Sequence, residues 1–412
     1  MAKILMLGGC GDMGRMAVVS LLSSPLVEKV TIADKNYEVA QRYVELANSD
    51  KLSAVEIDIT NEEELIPLIS SHDLVANTIG PFYKFGVPVL KAAIKAKRHY
   101  VDICDDWKPT LDMLGLNEEA QNAGITAIIG IGASPGITNL LAVKAYSELD
   151  EVNKIITAWG IGWTKMGQKP TYFISKKNLF TKQLQGTRTP NAAIMHLLHE
   201  SIGKIPIYRD GKLVEIESLT EAEPIHFPGR GGPMYACYIG HPEPVTLSRT
   251  LKVNSISNQM FLTKKFTDVL RDYVKQISEG NLTMAEAAIA IEDDLNKFTT
   301  KLYLLWVILK RFFRFPPTLC AFALGKKGNR IKKVAIGVKY QPYGEIDEGM
   351  DGITAIPLVI AALMILKGEI SKKGVFTPEE TINPDEFFAY YAKFCEETLT
   401  MEDVLLKKVI DL

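Results

Sequence analysis

Over its first 130 residues the chain alternates short apolar runs with stretches of helical period. Lys3–Leu7, Lys29–Ala33, Ala54–Ile57, Leu74–Thr78, Tyr100–Ile103 and Thr126–Ile129 read as strands, most of them apolar throughout. Helical stretches lie between them at Gly14–Ser23, Tyr37–Ser49, Glu62–Ser70, Val87–Ala96 and Leu116–Ala123. Strands that are apolar on both faces and alternate with helices predict a parallel sheet covered on both sides. Six such strands match a doubly wound, dinucleotide-binding Rossmann domain over residues 1–135.

The pattern changes after Pro135-Gly136. Residues 150–260 are richer in Thr, Pro, Tyr and β-branched residues. Arg209-Asp210-Gly211-Lys212 predicts a hairpin turn between Ile205–Tyr208 and Leu213–Ile216, because Asp-Gly supplies the positive φ that such turns need. Residues 262–325 read as helical, 334–340 as a strand, and 352–368 as an apolar helix ending near Gly368. A turn at Pro378 and a last helical region follow. The expected organisation is therefore the Rossmann domain, an α+β domain with a mainly antiparallel sheet over 136–345, and a C-terminal helical segment over 346–412.

Charge and cysteine usage narrow the function classes. The 47 basic and 49 acidic side chains give a net charge of -2. Nucleic acid is not expected as a partner, since it selects a basic field. Cysteines stand at 10, 104, 237, 320 and 395, an odd count without CxxC spacing. This argues against a disulfide framework and a Cys-based zinc site, and for a reducing, cytoplasmic setting. The apolar runs Ala355–Leu366 and Leu302–Leu309 fall short of the roughly 18 residues a membrane span needs. His196 and His199 stand three apart on an expected helix with Glu200 next to them, a spacing that does not form H-E-x-x-H, so no metal is expected.

Gly9-Cys10-Gly11-Asp12-Met13-Gly14 is a G-x-G-x-x-G loop that follows the first strand and opens a helix, with Asp34 about 20 residues on. Gly9 permits the turn, Gly11 admits a pyrophosphate to the backbone, and Gly14 lets helix and strand pack closely. The helix start adds about half a positive charge. Asp34 would accept hydrogen bonds from a ribose diol and repel a 2′-phosphate, which favours NAD, while the adjacent Lys35 softens that repulsion and leaves NADP open. Asp34 is also suited to cap a helix. Asp58, with Ile59 beside it, ends the third strand where an adenine contact is expected, or else caps the helix near Glu62.

Five elements in order resemble the saccharopine dehydrogenase-like oxidoreductases. They are the Gly9–Gly14 loop; Ala76–Phe82 followed by His99–Asp102; Ile131–Asn139; Asp210–Glu215 with His241–Leu247; and Thr354–Pro357 with Gly374–Glu379. The resemblance implies a Rossmann domain, a substrate domain, and C-terminal helices that return to the first domain. It also implies hydride transfer between a nicotinamide and a carbon bearing nitrogen, through an imine. Thr78, Gly80 and Pro81 of the second element are expected on the cofactor side. Residues 295–335 are longer than the family pattern. Saccharopine reductases that this chain resembles carry Asp before the Pro-Gly pair of the third element, whereas this chain has Ser134. A hydroxyl cannot act as a carboxylate base at pH 7, which points away from saccharopine itself. Ser134 is otherwise a turn residue before proline, or lines the substrate site.

Amine oxidation needs a group to take the amine proton. Asp102, Asp105 and Asp106 follow the fifth strand, where open parallel sheets form their ligand crevice. Asp105 matches the family's active-site position; Asp105 and Asp106 could instead cap the next helix. Cys104 between them reads as a small buried residue rather than a nucleophile. A substrate carboxylate would call for arginine, and Arg230 in its glycine loop and Arg249 are the candidates, against surface roles. His241 could line the site or be structural. Leu302–Leu309, followed by Lys310, Arg311 and Arg314, reads as a buried or dimer-contact helix, or as a cover over an apolar substrate. Three functions remain open: a dehydrogenase acting on the C–N bond of an amino acid, opine or polyamine; a reductase of an apolar or lipid-like substrate; and a dinucleotide-binding sensor without turnover. A homodimer is expected at base rates.

Overall fold

In the first part of the chain six strands lie parallel: β1 (Ala2–Leu7), β2 (Val27–Asp34), β3 (Leu52–Glu56), β4 (Leu74–Asn77), β5 (His99–Asp102) and β6 (Thr126–Ile128). The computed structural model describes residues 1–169, 192–297, 315–345 and 349–412. Ile4, Leu5, Met6 and Leu7 are all buried, as a strand covered on both faces requires. The intervening helices are α1 (Asp12–Leu22), α2 (Tyr37–Ala47), α3 (Glu62–Ser70), α4 (Phe82–Ala96), α5 (Trp107–Leu114), α6 (Asn117–Ala123) and α7 (Ile137–Ser147). Helix α4 starts at Phe82 rather than Val87, with Pro81 as its N-cap, and α5 is an addition to the sequence reading.

The next elements are β7 (Glu151–Gly160), β8 (Lys165–Met166), α8 (Ala192–Glu200), β9 (Lys204–Arg209), β10 (Lys212–Glu217), β11 (Ala236–Tyr238), α9 (Glu243–Thr250) and β12 (Ser255–Phe261). Then follow α10 (Lys264–Ser278), α11 (Met284–Asn296), β13 (Leu319–Lys327), β14 (Arg330–Val338) and β15 (Tyr340–Gln341). The hairpin β9–β10 turns at Asp210-Gly211, both with positive φ, 52° and 75°. Residues 319–325, the end of the stretch expected to be helical, instead belong to strand β13 between β7 and β14. Its Ala- and Leu-rich composition favours a helix, but two flanking strands saturate its backbone and bury its first five residues. The expected helix over Leu302–Leu309 lies outside the described residues.

The chain continues through α12 (Met350–Leu366), β16 (Gly374–Phe376), α13 (Pro378–Thr381), α14 (Pro384–Cys395), α15 (Met401–Val404) and β17 (Leu405–Asp411). The turn expected at Pro378 is a short helix, with Pro378 at its first position and Thr377–Glu380 forming a capping box. Strand β16 pairs with β6, so the first sheet has seven parallel strands in the order β16-β6-β5-β4-β1-β2-β3. The last residues, expected to be helical, form β17 along the edge of β14. The second sheet runs β10-β9-β12-β7-β13-β14-β17, with β11 on β12, and is antiparallel except for β12–β7.

Chain contacts divide the molecule into two compact units. One comprises Met1–Leu140, Lys165–Gly186 and Tyr340–Val404; the other comprises Leu141–Thr164, Thr187–Lys339 and Leu405–Leu412. The first unit holds the parallel sheet and the second the mixed one. No helix among the described residues is long and apolar enough to cross a membrane.

Candidate functional site

All seven strands of the first sheet end on the same edge, so every βα loop opens there. At the end of β1 the chain turns through Gly8, with φ +76°, into the Gly9–Gly14 loop. The glycines meet different demands. A Cβ at Gly14 would stand 2.1 Å from Gly8 O, so packing between helix and loop itself excludes a side chain. A Cβ at Gly9 would press on Ile32 at 3.0 Å. At Gly11, the N-cap of α1, a Cβ would meet nothing nearer than Gly8 O at 3.4 Å, an ordinary contact. The protein's own packing therefore does not require Gly11. The exposed, uncovered backbone there fits a pyrophosphate approaching the helix start. The Thr78 hydroxyl donates to Leu7 O at 3.0 Å and Gly8 O at 3.2 Å, fixing the loop from the neighbouring strand. Asp12 and Met13 are half-buried in the first turn of α1, and Asp12 pairs with Arg15.

Asp34 ends β2 beside a depression lined by Lys35, Asn36, Tyr37, Glu38 and Glu56. Its carboxylate accepts the Asn36 N–H at 2.9 Å. The cap of α2 is Asn36, whose side chain accepts from Val39 N–H, so Asp34 is not the helix cap. Burial and the Asp34 charge push the Cys10 thiol up to about 12. Asp58 is half-buried and does not cap α3, whose N-cap is Asn61. It accepts from Thr60 Oγ1 at 2.6 Å and Thr60 N at 3.0 Å and pairs with Lys35 at 3.1 Å. These bonds, Thr60 first, hold its carboxyl down at about 2. Ile59 lies between the two, half-buried. The residues after β2 and β3 expected to meet an adenosine are thus joined directly.

The acids after β5 have three distinct settings. Asp102 is fully buried: Oδ1 accepts from Cys104 N at 3.0 Å and Gly130 N at 2.7 Å, and Oδ2 from Tyr100 O–H at 2.9 Å. Tyr100 in turn accepts from Asn77 Nδ2 at 3.0 Å. Burial raises Asp102 to about 6 against these bonds, and the Asp105 charge adds to the rise. Asp106 is 3% exposed and occupies the N-cap position of α5, yet its carboxylate accepts the Tyr83 N–H in the first turn of α4 at 3.1 Å. Asp105 is half-buried, between these two. Burial raises the Cys104 thiol well above its usual value, helped by all three acids, which suits an inert buried residue.

After β6 the chain makes a tight loop. Gly132 N donates to Pro135 O, and a Cβ on Gly136, at φ +117°, would lie 2.3 Å from Gly132 O. Asn139 accepts the Gly136 N–H at 3.0 Å and donates to Glu379 at 2.9 Å. This loop presents Ser134 half-buried on the same edge as Asp105. Gly80 is exposed, next to Pro81 at the start of α4.

In the second unit, the Arg230 guanidinium lies 3.9 Å above the Trp163 ring, on a loop where Gly229 has φ +79°. Burial lowers the Arg230 pKa. Arg249 is exposed in the last turn of α9. His241 is buried: Nε2 bonds Glu200 at 3.0 Å, Nδ1 lies 3.7 Å from Glu243, and Trp159 stacks on the ring at 5.1 Å. Burial opposes its charge, but Glu200 and Glu243 outweigh burial and raise its pKa well above the usual value. Asn258 completes the cluster, donating to Glu243 at 2.8 Å and Thr157 at 3.0 Å and accepting from Trp159 Nε1 at 3.1 Å. Sequence reading missed Tyr100, Asn77 and Gly130 around Asp102, and Glu200, Glu243 and Asn258 around His241. A Glu inside the apolar His-Pro-Glu-Pro-Val-Thr-Leu run was the one local signal.

Comparison with known proteins gives concordant matches. Residues 4–128 match the family model described as the saccharopine dehydrogenase NADP binding domain, and residues 132–398 the saccharopine dehydrogenase C-terminal domain. A saccharopine dehydrogenase (NADP(+), L-glutamate-forming) of Pyricularia oryzae is 33% identical over 147 residues, 36% of this chain and 30% of that one. Its counterpart in Schizosaccharomyces pombe is 27% identical over 263 residues, 60% of this chain and 54% of that one. The chain thus covers about half or less of these two relatives. A carboxynorspermidine synthase of Vibrio cholerae is 23% identical over 421 residues, 93% of both chains. The apo saccharopine dehydrogenase (L-Glu forming) of Saccharomyces cerevisiae shares the fold, with a TM-score of 0.63 at 15% identity over 100% of both chains.

Proposed function

The chain belongs to the saccharopine dehydrogenase family, and from that membership we propose that it is a nicotinamide-dependent oxidoreductase acting on a carbon that bears nitrogen. The observation that carries this reading is the shared edge of the parallel sheet. The uncovered Gly11 backbone after β1 and the half-buried Asp105 after β5 open on it together. A bound nicotinamide supplies the acceptor or donor of the hydride.

The chain's own residues do the rest. Gly9, Gly11 and Gly14 bring the loop and the start of α1 to the pyrophosphate. Asp34 accepts from the ribose hydroxyls, and the Lys35–Asp58 pair borders the adenosine. Thr78, Gly80 and Pro81 border the cofactor from β4. As the substrate C–H gives up its hydride, the amine N–H proton passes to the Asp105 carboxylate and the C–N bond becomes an imine. Asp102 and Asp106 are committed to holding β6, α4 and the loop around Asp105 in place.

The substrate class is an amino acid, opine or polyamine. Asp34 supports NAD. NADP is the second reading, supported by the description of the matching family model and by the cation of Lys35 next to Asp34. A panel of amines and amino acids, including saccharopine and carboxynorspermidine, read by reduced-nicotinamide absorbance with each cofactor, tests the proposal. Turnover of at least one amine is expected. Binding of neither cofactor would sink it.

A further inference from the structure

Lys35 follows Asp34 at the end of β2, and its side chain is 82% exposed. It is the one cation among the described residues that line the depression beside Asp34, where Asp34, Glu38 and Glu56 supply three carboxylates. Its ammonium is already engaged: Nζ donates to Asp58 Oδ2 at 3.1 Å. Asp58 is itself fixed, because Oδ1 accepts from both Thr60 Oγ1 and Thr60 N. With its carboxyl held down at about 2, it is an anion at any working pH. Arg15 in α1 is 4% exposed and pairs with Asp12. A 2′-phosphate carries about two negative charges near neutral pH and calls for a cation that can turn to it.

We propose that Asp58 selects NAD over NADP by holding Lys35 away from the ribose 2′ position. This presupposes a nicotinamide dinucleotide whose ribose diol meets Asp34, as proposed for this edge. A diol leaves the Lys35–Asp58 pair intact. A 2′-phosphate would have to draw Lys35 off Asp58, and Asp58, bound by Thr60, would stay as a second uncompensated anion near Asp34. An exposed ion pair is weak by itself, so loss of the acid is enough to free the cation. Once freed, the long Lys35 side chain can turn to the phosphate and offset the Asp34 charge. Asp34 thus acts on the ribose directly, and Asp58 is a positioning residue that acts through Lys35.

Calorimetric titration of the full chain with NAD, NADP, 5′-AMP and adenosine 2′,5′-bisphosphate tests this, since the last two differ only in the 2′-phosphate. Asp58→Asn keeps an oxygen for Thr60 and puts an amide where the carboxylate faces Lys35. It should tighten NADP and the bisphosphate by about fivefold or more, and leave NAD and 5′-AMP within about twofold of wild type. Lys35→Met alone should leave NADP affinity near wild type, because a captive ammonium contributes nothing to the phosphate. Lys35→Met added to Asp58→Asn should abolish the gain. No gain in Asp58→Asn, a gain of equal size without Lys35, or a matching loss of NADP affinity in Lys35→Met alone would overturn the role of Asp58 and leave the oxidoreductase assignment standing. Wild type that binds neither dinucleotide would overturn both.

Discussion

The Tyr100 hydroxyl donates to Asp102 Oδ2 at 2.9 Å, with both residues fully buried at the end of β5. The bond makes Asp102 the knot that ties the end of β5 to Cys104 and Gly130 on either side. It also sets a titration. Burial first, then the Asp105 charge, raises Asp102 from 3.8 to about 6. An acid whose folded value is raised binds its proton more tightly when folded, so its contribution is present near pH 4 and is lost as pH rises through about 6. The size is on the order of 3 kcal/mol. Asp102→Asn does not titrate. The stability of wild type relative to this variant should therefore fall between pH 4 and pH 7, as read by denaturant unfolding at a series of pH values. A flat difference would show that Asp102 is not perturbed.

Gly11 and Gly14 should separate binding from folding. Gly14→Ala places a methyl 2.1 Å from Gly8 O and should cost about 1–3 kcal/mol in stability as well as cofactor affinity. Gly11→Ala meets only an ordinary contact, so its melting temperature should stay near wild type while calorimetry shows weaker cofactor binding. Equal destabilisation by both would mean that Gly11 serves packing alone.

Asp34 should control cofactor choice. Asp34→Ala removes the acceptor for a ribose diol and the charge facing a 2′-phosphate. The ratio of NAD to NADP affinity should move toward NADP by about tenfold or more, roughly 1.4 kcal/mol. Fluorescence titration of both cofactors against both proteins reads this directly. An unchanged ratio would place the adenosine ribose elsewhere.

How far the sequence reveals this depends on the range of the interactions. The six strands β1 to β6 are legible because most of them are largely buried and therefore largely apolar, with only β3 at the sheet edge mostly half-buried. Strand β16 is hidden because Gly374-Val375-Phe376 is only three residues long and finds its partner far away in the chain. Leu405-Leu406-Lys407-Lys408-Val409-Ile410 has apolar residues at helical spacing, and only the open edge of β14 makes it a strand. The glycine loop is readable because its chemistry is local. The setting of Asp102 is not, since Gly130 reaches it from the loop after β6 and Asn77 of β4 acts on it through Tyr100.

The buried His241 adds a second pH dependence, of opposite origin. Burial disfavours its charge, but Glu200 and Glu243 outweigh burial and raise its pKa well above 6.5. A base with a raised folded value stabilises fully below its unfolded value and loses that contribution as pH rises through the folded one. His241→Gln leaves two buried carboxylates without their cation, which should cost about 3–5 kcal/mol near neutral pH. The advantage of wild type over His241→Gln should be greatest below pH 6.5 and shrink in alkaline buffer. An advantage that grows with pH would mean the imidazole is neutral in the fold.

Asp105 bears on the chemistry itself. Of the three acids after β5 it alone is partly open to solvent, while Asp102 and Asp106 are spent on backbone N–H groups. A carboxylate held between two others is well suited to accept a proton from a substrate amine. Asp105→Asn preserves shape and removes basicity. Once the amine panel supplies a substrate, kcat should drop by about 10²–10⁴-fold while cofactor affinity and melting temperature hold. Retained turnover with lowered stability would instead identify Asp105 as a support of its loop and move the proton acceptor to a water held near Ser134.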